Sequence, residues 1–137
     1  MGKLYVCNTH SDNISVVDVG VFKEEGKIYS KTPSLDKIGP HSICNYKDKL
    51  LVANRYNNTL SIFNKVNGEE IDNYFIGMNC HDVVEYKDKA YIICGDSNDV
   101  VVFNLKTNLI EEQIPCGDFP KSIEIKDRKS TRLNSSH

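Results

Sequence analysis

Three polar residues recur at one interval along this chain: His41, His81 and Lys121 stand 40 positions apart. Two imidazoles and an ammonium at corresponding places offer proton transfer, metal ligation or the binding of an anion. Two histidines fall short of the three or four ligands that zinc takes, so other donors would have to complete a metal site. No metal ligand and no cofactor is assigned from the sequence. Structural use of the same side chains, as polar groups that hydrogen-bond neighbouring loops, is the competing reading. G-x-S-x-G, the P-loop, H-E-x-x-H and G-x-G-x-x-G are all missing, so no catalytic residue is named and an enzyme is the less favoured reading.

What must position these residues is a repeat. Lys3-Leu4-Tyr5-Val6-Cys7-Asn8 returns as Lys49-Leu50-Leu51-Val52-Ala53-Asn54 and as Lys89-Ala90-Tyr91-Ile92-Ile93-Cys94, and Tyr46-Lys47-Asp48-Lys49 recurs unchanged at Tyr86 to Lys89. Each copy continues through a polar turn into a second apolar stretch, beginning at Ile14, Leu60 and Val100. In the second copy the pattern predicts strands over His41–Tyr46, Lys49–Asn54, Thr59–Asn64 and Glu70–Ile76, with Asn67-Gly68 as a hairpin signal. The third copy follows from His81 to Pro115. The first is expected to carry an extended charged turn over Gly20–Lys27. No stretch has a helical period, so the chain reads as all-β.

A four-stranded antiparallel meander cannot cover both of its faces alone, and radial stacking of such sheets is the recurrent solution. The expectation is a β-propeller arc of about three blades: residues 2–38 without a first strand, 41–76, 81–115, and the first strand of a fourth at 121–126. Because strands alternate in direction, the loop entering each first strand and the loop between second and third strands share one face. That rule gathers His41, His81 and Lys121 with His10, Arg55 and Tyr56 as candidate ligand-binding residues near a central channel, and places Asp96 on the same face. Asp12, Asp96 and Asp99 also suit turns on their own account. Tyr5, Phe63, Tyr74, Phe75, Tyr91 and Phe103 are expected in the core and between blades.

Composition sets further bounds. A formal net charge of −2, with no long single-sign run, gives no basic stripe for a nucleic acid. No apolar run is long enough for a membrane span, and no signal peptide precedes the first repeat, so the expected setting is cytoplasmic. The five cysteines form no C-x-x-C pair, and most lie in apolar strands, as small buried hydrophobes do. The expected partner is an unidentified protein or small molecule, with self-association through open blade faces.

The chain resembles the YVTN-repeat family, the YncE-like propellers. The signature Tyr-Val-Thr-Asn stands here as Tyr5-Val6-Cys7-Asn8, the Ser-Asn-Thr-Val-Ser-Val-Ile-Asp stretch as Tyr56 to Asn64, and Val-Gly-x-x-Pro as Cys116-Gly117-Asp118-Phe119-Pro120. The resemblance covers about residues 2 to 126 and implies some seven blades in a complete, WD40-like ring. Related-looking propellers include lactonase-like hydrolases and metal-dependent oxidoreductases. The repeat begins at a second strand and stops after a lone first strand, so the sequence reads as a fragment. Asp127 to His137 breaks the repeat and is similar to a translated sequencing adapter; it is expected to be a non-native, disordered tail.

Overall fold

A computed structural model describes residues 2–31 and 37–126. The expected tail at 127–137 and the stretch 32–36 of the first repeat lie outside the described residues. Strands β1 (Lys3–Asn8), β2 (Asn13–Asp18) and β3 (Lys23–Ile28) form the first sheet. Strands β4 (Pro40–Tyr46), β5 (Lys49–Asn54), β6 (Thr59–Asn64) and β7 (Glu70–Phe75) form the second. Strands β8 (Cys80–Tyr86), β9 (Lys89–Cys94), β10 (Asp99–Asn104) and β11 (Leu109–Pro115) form the third. Every pairing is antiparallel between consecutive strands, and β4 and β8, which begin the two four-stranded sheets, run beside each other. Among the described residues no helix is long and apolar enough to cross a membrane.

The turns are made by residues that tolerate a left-handed backbone or that cap it. Asp18, Asn64 and Asn104 end the equivalent strands β2, β6 and β10, and each side-chain oxygen accepts the backbone N–H groups two and three residues on. Four residues further, Phe22, Gly68 and Asn108 adopt φ of 57°, 72° and 60°, and each N–H returns to the strand-ending carbonyl. Gly68 meets this demand without a Cβ penalty, and Asn108 meets it through its short polar side chain.

Alternation along β5 sends Leu50 and Val52 to one face and Leu51 and Ala53 to the other. The first pair joins Phe63, Ile14 and Ile28 in the seam between the first and second sheets. The second joins Leu60, Ile62, Ala90, Ile92, Val101 and Phe103 in the seam between the second and third. Burying a side chain of this size contributes about 1.5–3 kcal/mol, so the middle sheet holds both neighbours. Polar ties add registration: the Tyr46 hydroxyl donates to Asp88 (2.8 Å), and Ser42 donates to Asp82 (2.5 Å).

Three expectations are corrected. Lys23–Ile28 is not part of an extended turn but a strand, β3, and the turn is confined to residues 19–22. An outermost strand needs no apolar face, and its charges pair instead, Lys3 with Glu25 across the sheet (2.5 Å) and Lys27 with Glu24 along the strand (2.6 Å). No strand is described at Lys121–Ile125, where one was expected; the Ile123 N–H is held by the Asp82 carboxylate (3.0 Å). Phe75 is 66% exposed at the end of β7, whereas Phe63 and Phe103 are buried and Tyr74 packs on Phe103 with ring centroids 5.0 Å apart. Of the cysteines, Cys80 and Cys94 are buried, Cys7 and Cys44 half-buried, and Cys116 exposed. Burial pushes the Cys7 and Cys44 thiols up to about 12, so they stay protonated packing groups.

Candidate functional site

The inner strands β4 and β8 each start with a bulge, and the extra residue is a histidine. Register passes from Pro40 opposite Asn54 to Ser42 opposite Ala53, leaving out His41, and from Cys80 opposite Cys94 to Asp82 opposite Ile93, leaving out His81. A bulged residue leaves the pleat and is free to point elsewhere. Two positions before each, Gly39 and Asn79 take positive φ, 68° and 59°, and Phe119 does so at 47° two residues before Lys121. Each entry is fixed from the preceding sheet. The Asp12 carboxylate accepts from Gly39 N (2.7 Å), the Asn58 side chain from Asn79 N (2.7 Å), and the Asn98 side chain from Phe119 N (2.7 Å). Asp12 is therefore a connector between sheets as well as a turn residue.

These entries bring four of the candidates into one cluster. The His41 and His81 rings meet edge to face at 5.5 Å, and His81 meets Phe119 in the same manner at 5.2 Å. Lys121 Nζ lies 5.7 Å from the Phe119 centroid. Arg55 donates from Nε to Asn79 (3.1 Å), and Asn79 donates on to Asp96 (3.3 Å). Tyr56 and His10 form a separate pair, hydroxyl to Nδ1 at 3.1 Å, joined to the cluster through Thr9, which lies 3.3 Å from His41 Nδ1 and donates to the Pro40 carbonyl. Gly95 makes room for the stack: a Cβ there would come within 2.7 Å of the His81 ring.

Burial lowers the His41 pKa below its ordinary value, Arg55 lowers it further, and Asp82 opposes them. Burial likewise lowers that of His81, helped by Arg55, His41 and Lys121 and opposed by Asp96. Both imidazoles are thus neutral near pH 7 and sit beside fixed positive charge. His81 is only 7% exposed, and its Nε2 has no hydrogen-bond partner among the described residues. Among the described residues no three His, Cys, Asp or Glu side chains are grouped to hold a metal ion.

Phe119, Asn79, Thr9 and Gly95 complete the cluster without having been singled out from the sequence. The spacing that found His41, His81 and Lys121 also runs through Gly39, Asn79 and Phe119, and it could have flagged them.

No family model matches the chain, and no curated protein matches it. Solved structures do. Hydrazine synthase of Kuenenia stuttgartiensis is similar over 85% of this chain and 33% of its own, with a TM-score of 0.74 and 17% identity. Sqt1 of Saccharomyces cerevisiae is similar over 86% and 32%, with a TM-score of 0.71 and 10% identity. A candidate 6-phosphogluconolactonase of Bacteroides fragilis is similar over 85% and 36%, with a TM-score of 0.69 and 18% identity. At such identities the likeness concerns the fold, and the fold is that of consecutive β-propeller blades. The chain spans about a third of the length of these structures.

Proposed function

We propose that the chain is part of a non-catalytic β-propeller that binds a small molecule or a protein on the face where the β4 and β8 entries lie. The observation that carries this reading is convergence. Side chains from all three sheets, His10, Arg55, Tyr56, His41, His81 and Lys121, reach one face, where loops on a rigid scaffold are commonly used for recognition. Membership of the YVTN-repeat, YncE-like propellers belongs to the same reading, supported by Tyr5-Val6-Cys7-Asn8 and Cys116-Gly117-Asp118-Phe119-Pro120. So does a cytoplasmic setting, supported by free thiols used as packing groups.

A propeller enzyme is the second reading, either a lactonase-like hydrolase or a metal-dependent oxidoreductase. It is favoured by two neutral imidazoles held edge to face, a form in which histidine accepts a proton or ligates a metal. The likeness to a candidate 6-phosphogluconolactonase adds analogy of fold alone.

Titrating the full chain, labelled for NMR, with panels of carboxylic acids, sugar phosphates, lactones and neutral sugars separates the two. Binding predicts shifts at His41, His81 and Arg55 with every probe recovered intact. Turnover of a lactone that disappears in His81→Ala, or metal bound stoichiometrically and lost in His41→Ala and His81→Ala, would instead establish the enzyme.

A further inference from the structure

Phe119 is the one large apolar residue among three equivalent entries that demand a left-handed backbone. Gly39 and Asn79, at the corresponding places, are of the types that accept φ near +60°; Phe119 is held there at 47° by the bond from its N–H to Asn98. A bulky residue kept in an unfavourable backbone state points to use of the strain. Its ring packs edge to face on His81, whose Nε2 is buried without a partner among the described residues, an unusual condition for a polar atom in a folded protein. The His41 ring meets that of His81, Lys121 Nζ lies 5.7 Å from the Phe119 centroid, and the charges of Arg55 and Lys121 act on His81 against that of Asp96. Arg55 spends only Nε, on Asn79, and neither Arg55 nor Lys121 forms an ion pair among the described residues.

We propose that Phe119 is a gate over an oxyanion site, in which a carboxylate or phosphate group of a ligand takes the place of the Phe119 ring. The group accepts a hydrogen bond from His81 Nε2 and pairs with the free end of Arg55 and with Lys121. Release of the left-handed backbone at residue 119 carries the ring aside and gives the orphaned nitrogen its partner. Gly95 permits both states, since any Cβ there would already press on His81. The arriving negative charge favours imidazolium, so binding draws a proton onto His81 and tightens as pH falls toward 6. The proposal rests on the binding reading above and names the chemical class that the face selects.

The test titrates the full chain with inorganic phosphate and, separately, with acetate, following the imidazole NMR signals, and repeats the titration calorimetrically in buffers of different ionisation enthalpy. At least one probe shifts the His81 signals and brings net proton uptake; which one does distinguishes a phosphate site from a carboxylate site. Removing the gate in Phe119→Gly raises the population of the open state, and a gain of about tenfold in apparent affinity is expected. Phe119→Asn, the residue used at the equivalent entry, checks that the gain does not arise from glycine's added freedom. Arg55→Met weakens binding by about tenfold. No response at His81 to either probe overturns the site, and if neutral sugars still shift the face, the broader binding reading survives alone. Equal affinity in Phe119→Gly, Phe119→Asn and the natural chain overturns the gate.

Discussion

Leu50 and Leu4 occupy the same place in the repeat, one strand position after Lys49 and Lys3, yet Leu50 is 1% exposed and Leu4 54%. Leu50 lies on a sheet with a neighbour on each side, and Leu4 on the outward face of the first sheet. The same holds for Val52 and Val6, buried and exposed respectively. Local sequence therefore specifies the strand, while position in the stack specifies what the side chain contributes. The first and largest expected effect follows. Leu50→Ala should cost about 2–5 kcal/mol, whereas Leu4→Ala should stay within about 0.5 kcal/mol. Urea unfolding of the two variants measures the difference; similar losses would mean that the outward face of the first sheet is covered in solution, as self-association through that face would do.

A smaller contrast separates two glycines. Gly95, at the end of β9, faces the His81 and Phe119 rings, and Gly26, in the outer strand β3, has nothing within reach of an added Cβ. Gly95→Ala must displace His81 and is expected to lower stability by about 1–3 kcal/mol. Gly26→Ala should be neutral or gain up to about 1 kcal/mol by restricting the unfolded chain. Thermal melts of both variants decide this, and equal effects would show that the imidazole yields freely.

The polar interior of the sheets shows what was legible beforehand. Asn8 donates to Ser15 and Ser15 to Glu24; Asn54 donates to Ser61 and Ser61 to Glu70. The intervals are identical, seven and nine residues, so the ladder was readable as a second period within the repeat. In the third sheet Cys94 and Val101 stand at the Asn and Ser positions and join the apolar seam, and Asp99 Oδ1 is left buried without a partner among the described residues. Strands and turns were legible because alternation and turn chemistry are local. The cluster was legible only as a common face: spacing brought His41, His81 and Lys121 together but carried no information on the bulges that aim the imidazoles or on the ring that covers His81. Those depend on which sheet lies beside which.

The histidines also make the seam between the second and third sheets sensitive to acid. Both imidazoles have lowered folded-state pKa values, with burial as the first cause. The unfolded chain thus binds more protons as pH falls below about 6.5, and stability declines from there through the lower folded-state values. Above that range the full contribution is present. Replacing both residues, His41→Gln with His81→Gln, should flatten this part of the stability–pH profile measured by urea unfolding between pH 7 and 5. An unchanged slope would place the acid sensitivity on other groups.

The smallest expected effect concerns the three left-handed entries. Phe119→Asn replaces a residue for which this backbone is costly by the one found at Asn79, and relief of about 1–2 kcal/mol is available. Against it stands the loss of the edge-to-face contact with His81 and of the ring beneath Lys121, together about 1–2.5 kcal/mol. The two nearly cancel, so the net change should stay within about 0.5 kcal/mol of zero. The reciprocal Asn79→Phe has no such offset, because it adds the strain and also removes the bonds to Arg55 and Asp96, so a clear loss is expected. Thermal melts should therefore show Phe119→Asn close to the natural chain and Asn79→Phe well below it. If both lose stability, the aromatic stack on His81 outweighs the strain, and the ring at residue 119 is a structural plug and not a gate held closed against its backbone preference.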